Sequence, residues 1–271
     1  MLLIVGEAIV VYQRQGDGPW TGPWPSGAPA ISSYVASQLG VEVAFVGGVG
    51  RDDHAKVMAD GLGAAAHLVV SDDLPTATAY ITYRGEDRSF DFRVTGSAAA
   101  AVTSAALGDL PERARWVHLS GSALIFGEPL ATTALEAVRR GKAAGATISV
   151  DPNVRVEALT EAGRAALIAV LHSADVLLPS EGELEALGVD PATLDAVVCT
   201  TYGAAGAEVN GVRVEAPPVN AIDTDGAGDT FAAGYIAAAL EGADPVTAAR
   251  NGIRAAGRAV AVEGPMTVVF D

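Results

Sequence analysis

The chain has 271 residues, enough to bury a large core as one α/β domain or as two smaller ones. Half of it is hydrophobic, and 33 acidic against 17 basic residues leave a formal charge of −16, which argues against coating nucleic acid or an anionic membrane surface. One cysteine excludes an internal disulfide framework and fits a reducing cytoplasm, and no apolar run approaches the roughly 20 residues that span a bilayer.

The first residues, Met1 to Glu7, lack the basic region of a signal peptide and predict a core strand over 2–5. Residues 9–13 extend that run. Residues 16–27 carry prolines, Trp20 and Trp24 without periodicity, and read as a loop. A helix is predicted over 30–39, a strand over 43–47 and a helix over 54–62. Residues 76–84 and 89–94 both alternate with period two around Gly85-Glu86-Asp87, which predicts an antiparallel hairpin outside the main sheet. With residues 9–15 it would form a small sheet able to cover a crevice.

Beyond the hairpin, strands predicted over 116–119, 147–150, 176–178 and 197–200 alternate with helices over 129–144, 161–172 and 181–187. Near-continuous apolar strands between helices point to a mostly parallel sheet covered on both faces. Their ends are small or polar: Gly6-Glu7, Ser120-Gly121, Asp151-Pro152-Asn153, Pro179-Ser180 and Thr200-Thr201. Ligands bind at the carboxyl ends of strands in open α/β sheets, so these ends should line one crevice. Cys199 sits in a strand-like run and reads as a small buried hydrophobe. The four histidines show no metal-ligand spacing.

The most informative stretch runs from Ile222 to Tyr235. Gly226, Ala227 and Gly228 allow a tight turn with exposed N–H groups, and a small, apolar helix follows from Asp229 to Leu240, with a C-terminal stop at Glu241-Gly242. A helix N-terminus with free amides is an anion site. Asp229 there either caps the helix or handles a proton while the amides hold negative charge.

Five segments in order resemble the ribokinase-like (PfkB) carbohydrate kinases, nearly end to end: Gly27-Ala28-Pro29-Ala30 with Leu39-Gly40; Phe45 to Asp53; Asp151-Pro152-Asn153-Val154-Arg155; Thr201-Tyr202-Gly203-Ala204-Ala205-Gly206; and Asp223 to Asp229. The resemblance implies a three-layer α/β/α fold with a small β-sheet lid (residues 9–15 and 76–94) inserted in a single domain spanning 1–271. It implies ATP-dependent phosphorylation of a sugar or sugar acid, most like 2-keto-3-deoxygluconate or fructose. A nucleoside or vitamin-precursor kinase and a degenerate nucleotide-binding regulatory module are the alternatives.

In the implied site Asp229 is the base, and the Gly226, Ala227 and Gly228 amides form the anion hole. Asn153 and Arg155 lie near the triphosphate, unless they belong to a capped turn. Thr201, Gly203, Gly206 and Asp225 bind the nucleotide, and Gly27 and Ala28 the sugar. The family needs Mg²⁺, which Glu183 would help place through water, unless it is a solvated helix carboxylate. Some members bind a monovalent cation near Asp223 and Asp225. On the hairpin, Tyr80, Tyr83 and Arg93 could meet the substrate, Arg93 pairing a sugar acid's carboxylate; the rival for Arg93 is an exposed ion pair with Asp91. An exposed hairpin edge favours a homodimer. Departures on the sugar side are Ser26 for a glycine, Ile31 for an asparagine and Val11 for an aspartate; a further one, Ser180, stands for the asparagine of the N-x-x-E motif that ends at Glu183.

Overall fold

The computed structural model describes residues 1–85, 87–154 and 159–270. Among them, nine strands form one sheet: β1 (Leu2–Val5), β4 (Val43–Gly50), β5 (Ala66–Ser71), β8 (Trp116–Ser120), β9 (Thr147–Asp151), β10 (Val176–Leu177), β11 (Val197–Thr201), β12 (Ala207–Val209) and β13 (Val212–Val214). Their order is β13-β12-β11-β10-β9-β8-β1-β4-β5. All neighbours from β5 to β11 run parallel, while β12 and β13 form an antiparallel edge.

The alternation of side chains along β1 shows how the layers form. Leu2 and Ile4 pack with α1 (Ala28–Gln38), α2 (Asp53–Leu62), α7 (Ala227–Leu240) and α8 (Pro245–Ala259) on one face. Leu3 and Val5 turn to the other face, where α3 (Leu110–Arg113), α4 (Leu130–Ala143), α5 (Glu161–Leu171) and α6 (Glu183–Ala186) lie. A strand buried on both faces cannot alternate polar and apolar, which is why these strands read as continuous apolar runs. Helix starts are fixed locally: Asp52, Thr160 and Asp244 each accept backbone N–H groups at the N-termini of α2, α5 and α8. Cys199 is buried in β11, and burial pushes its thiol up to about 12.

A second sheet stands over the carboxyl ends of the first. Its order is β3-β2-β6-β7, from β2 (Ile9–Gln15), β3 (Thr21–Ser26), β6 (Ala77–Arg84) and β7 (Asp87–Arg93). The hairpin is β6–β7 as expected, and β2 pairs with β6 in parallel from Ile9↔Ala77 to Gln15↔Tyr83. Residues 16–27, read as a loop, instead contain β3. It is an edge strand on β2, where prolines 23 and 25 cost no central ladder bond. Ile9, Val11, Ala79 and Ile81 form this sheet's own small core. No described helix is long and apolar enough to cross a membrane.

Candidate active site

Two cavities meet at the first turn of α7. Gly226 precedes this helix at φ 72°, a left-handed conformation that L side chains resist, and a Cβ there would lie 2.8 Å from Ile31 Cδ1. A Cβ on Gly228 would meet nothing within 4 Å, so its backbone faces open space. Asp229 follows one residue later at 8% exposure. Its main-chain oxygen accepts a bond from Ser32 Oγ at 3.1 Å, which ties α7 to α1.

The larger cavity, about 720 Å³, lies along the ends of β10 and β11 and is closed by α7 and α8. Ser180, Thr201, Tyr202, Gly203 and Gly206 line its floor, and Ala227 and Gly228 its helix-terminal end. Phe231, Ile253, Ala256 and Val260 give it an apolar wall. Gly206 has φ 93°, and a Cβ there would stand 2.1 Å from the Val214 carbonyl oxygen, so no other residue fits. An apolar slot of this volume that ends on helix-terminal amides suits a flat base with a phosphate tail.

The smaller cavity, about 60 Å³, lies between the two sheets. Glu7, Ser122, Asn153, Asp225 and Asp229 line it from the large sheet and α7, and Gly27 and Ala28 from the start of α1. The small sheet contributes Val11, Ile81, Phe90 and Phe92, and Phe126 adjoins them. The Phe90 and Phe92 rings are stacked at 5.5 Å between centroids, and Phe126 is tilted against Phe92 at 5.6 Å.

The small sheet is also fastened to the loop that leads into α7. The Tyr83 hydroxyl accepts from Gln13 Nε2 at 3.3 Å and bonds the Asp223 carboxylate. Burial first, then the Asp225 and Asp223 charges, raise the Tyr83 pKa above that of an ordinary phenol. Arg88 Nη2 donates to Thr224 Oγ1 at 3.1 Å. Asp223 also accepts N–H bonds from Asp225 and Gly264. A void of about 10 Å³ lies beside Asp223 and Asp225 against Gly264, Pro265 and Met266, room for about one water.

The sequence-predicted residues fall into three groups. Asp229, Gly226, Ala227, Gly228, Thr201, Gly203 and Gly206 gather at the helix terminus and the larger cavity, and Gly27 and Ala28 reach the smaller one. Asn153 and Asp225, expected at the nucleotide, line the smaller cavity and not the larger one. The Asn153 amide donates to Asp151 Oδ1 at 2.9 Å, so this residue does close a turn. Glu183 accepts from the Val154 amide at 2.7 Å and the Ser180 amide at 2.8 Å, bracing two strand-end loops. Arg155 lies outside the described residues.

Tyr80 and Arg93, expected to meet the substrate, line neither cavity. Strand alternation turns Phe90, Phe92, Ala79 and Ile81 inward, and therefore turns Tyr80, Asp91 and Arg93 outward. There Tyr80 stacks on Tyr12, and Arg93 lies 4.5 Å over Tyr80 and bonds Asp91 at 3.0 Å. What the sequence reading missed is the aromatic wall. Phe90 and Phe92 two apart on a strand were the available signal, and α8 and Phe126 gave none.

Over residues 24–269 the sequence matches the pfkB family of carbohydrate kinases. The chain belongs to that family. It is 30% identical over 258 residues to a fructokinase of Salmonella typhimurium, covering 86% of this chain and 82% of that one. It is 35% identical over 231 residues to fructokinase-1 of Oryza sativa subsp. japonica, covering 76% and 71%. Two solved structures superpose over 99% of this chain and 95% of theirs. One is a provisionally named ribokinase II from E. coli in complex with ATP and Mg²⁺, at TM-score 0.89 and 29% identity. The other is the fructokinase of Vibrio cholerae O395 bound to fructose, ADP and calcium, at TM-score 0.88 and 26% identity. The protein is therefore a sugar kinase of this family, with the ribokinase-like fold, and kinases of this family use ATP. The larger cavity fits that cofactor by its volume, its apolar walls and the amides of Ala227 and Gly228 at one end. Among the described residues no three or more His, Cys, Asp or Glu cluster as a metal cage, in keeping with Mg²⁺ held mainly by waters, phosphates and one or two carboxylates.

Proposed function

We propose that this kinase transfers the terminal phosphoryl group of ATP to a hydroxyl of a fructose-like sugar, with Asp229 as the base. One observation carries the reading: a single helical turn serves both cavities, with Ala227 and Gly228 on the nucleotide side and Asp229 on the acceptor side. An acceptor hydroxyl between the sheets would then lie beside a carboxylate and in front of helix-terminal amides.

Asp229 accepts the hydroxyl proton and points the oxygen at the phosphoryl group, a task of positioning more than of basicity. The amides of Gly226, Ala227 and Gly228 offset the charge that develops there, at the positive end of α7. Bound ATP supplies the phosphoryl group, and Mg²⁺ spreads its charge. Thr201, Gly203 and Gly206 form the floor on which the nucleotide lies. Asn153, Asp225, Gly27 and Ala28 hold the acceptor's polar edge. Glu183 keeps the loops at Val154 and Ser180 in place and offers a carboxylate to a metal-bound water. The fructokinases among the relatives support a keto-sugar acceptor.

The test is Asp229→Asn with fructose in a coupled ADP assay. The expected kcat falls about 10²–10⁴-fold while ATP binding by calorimetry is kept. A variant within a few-fold of the parent would remove Asp229 from the chemistry.

A further inference from the structure

We infer that Tyr83 and Arg88, beside the turn of the β6–β7 hairpin, are positioning residues for phosphoryl transfer. They clasp Asp223 and Thr224, so the place of the small sheet and the place of the α7 turn's amides are set together. The inference rests on the phosphoryl-transfer reading above and deepens it.

The pairing comes from the ladder. Tyr83 and Arg88 are direct partners across β6 and β7, and the Arg88 guanidinium lies 5.9 Å from the centre of the Tyr83 ring. Ala79 and Ile81 of β6, and Phe90 and Phe92 of β7, line the smaller cavity. Period two therefore puts Tyr83 and Arg88 on that same inner face, one step nearer the hairpin turn. Tyr83 was the third hairpin residue expected at the substrate, yet neither it nor Arg88 lines either cavity. Both line a separate hollow of about 710 Å³, which Asp223 and Thr224 line as well.

The two contacts fall on consecutive residues. The Tyr83 hydroxyl donates to the Asp223 carboxylate and accepts from Gln13 Nε2 at 3.3 Å, which brings β2 into the clasp. Burial, then the charges of Asp225 and Asp223, keep this phenol protonated above the usual range, so its hydrogen is there to give. Arg88 Nη2 donates to Thr224 Oγ1 at 3.1 Å. Two bonds from paired strands to adjacent residues fix orientation as well as distance, where one bond would let the loop swivel.

Asp223 and Thr224 lead straight into the turn. The Asp223 carboxylate accepts from the Asp225 amide at 2.9 Å and the Gly264 amide at 3.1 Å. The Thr224 carbonyl oxygen accepts from the Ala227 amide at 3.4 Å, and Thr224 also lines the larger cavity. Upstream, the Ile222 and Asp223 amides donate to the Val260 carbonyl oxygen just past α8, at 2.7 and 3.2 Å. Main-chain bonds thus tie the loop to α8, and the small sheet adds its two side-chain bonds between that anchor and the amides. Donors that stabilise developing charge act only when held at the right place, which gives the clasp its effect on rate.

The experiment measures kcat and KM by ADP release with fructose and ATP. Tyr83→Phe removes one hydroxyl and keeps the ring. It should lower kcat about ten- to a hundredfold, the worth of a hydrogen bond to a charged group, with the KM for ATP within about threefold. Arg88→Gln should lower kcat by about three- to tenfold, and Arg88→Lys, which keeps a cationic donor, should recover most of that loss. Melting curves check the fold; Arg88 is exposed, so its two variants decide the matter if Tyr83→Phe does not fold. A folded Tyr83→Phe within twofold of the parent kcat, losses confined to KM, or Arg88→Lys no better than Arg88→Gln overturns the inference and leaves the kinase reading standing. Asp229→Asn is measured beside them. Full activity in that variant, or no ADP from the parent with fructose, overturns the phosphoryl-transfer reading, and the inference with it.

Discussion

The larger cavity and the smaller one lie on either side of one helical turn, yet they are made of different material. The first is shaped by main chain: left-handed glycines at 203, 206 and 226, amides at the start of α7, and small residues where α8 comes close. The second is shaped by side chains, carboxylates on one wall and aliphatic and aromatic groups on the other. Recognition by backbone fixes a sequence, because only glycine satisfies the geometry. Recognition by side chains leaves the backbone intact when a residue changes, so the acceptor can change while the fold and donor stay. The glycines of the larger cavity, against Val11 and Ile31 in the smaller one, put that difference into one chain.

The largest effect should come from the turn both cavities share. Gly226→Ala adds a Cβ 2.8 Å from Ile31 at a backbone angle that costs a non-glycine residue about 1–2 kcal/mol. Displacing these amides should lower kcat by about 10²–10³ with either substrate saturating. Steady-state kinetics checks this; a rise confined to the KM for the sugar would mean that the turn serves one cavity only.

The next effect belongs to the large sheet and should spare neither cavity. His118 is fully buried, and burial holds its imidazole well below the ordinary range, at about 4 against 6.5. Trp116 Nε1 donates to Ser149 Oγ at 2.7 Å, so the Ser149 hydroxyl hydrogen is available to His118 Nδ1 at 2.8 Å. The folded state thus favours neutral imidazole. Its contribution is fully present above about pH 6.5, where the unfolded chain is also neutral, and is lost as pH falls toward 4, by about 3 kcal/mol. Urea midpoints between pH 7.5 and 4.5 measure it, and His118→Asn should flatten that part of the profile.

The smallest effect is expected on the outer face of the small sheet. Arg93→Ala removes an exposed ion pair and a ring contact, and should change the KM for fructose less than about twofold. A tenfold change would return Arg93 to the acceptor site.

These expectations also mark what was legible in the sequence. The parallel strands announced themselves because burial on both faces leaves no polar position in them. The α7 turn was legible because Gly226, Ala227, Gly228 and Asp229 combine a conformational demand with a chemical one. Strand β3 was hidden, since prolines and tryptophans on an edge follow no alternation. Strand β5 is half exposed, with Val69 and Val70 open to solvent, and so looked like neither helix nor core. The hairpin is the instructive case. Period two says that Phe90 and Phe92 share one face and Asp91 and Arg93 the other, but not which face turns inward. Both faces carry aromatics, so local pattern could not choose. Packing over the crevice did.

The passage from the large sheet to the small one runs through Gly6, Glu7 and Ala8. A Cβ on Gly6 would lie 2.3 Å from Pro29, and one on Gly27 would lie 2.6 Å from the Glu7 carbonyl oxygen, so two strand crossings press together without room for a side chain. A side chain at position 27 would therefore push on Glu7 and Ala28 together, at the edge of the smaller cavity that both residues line.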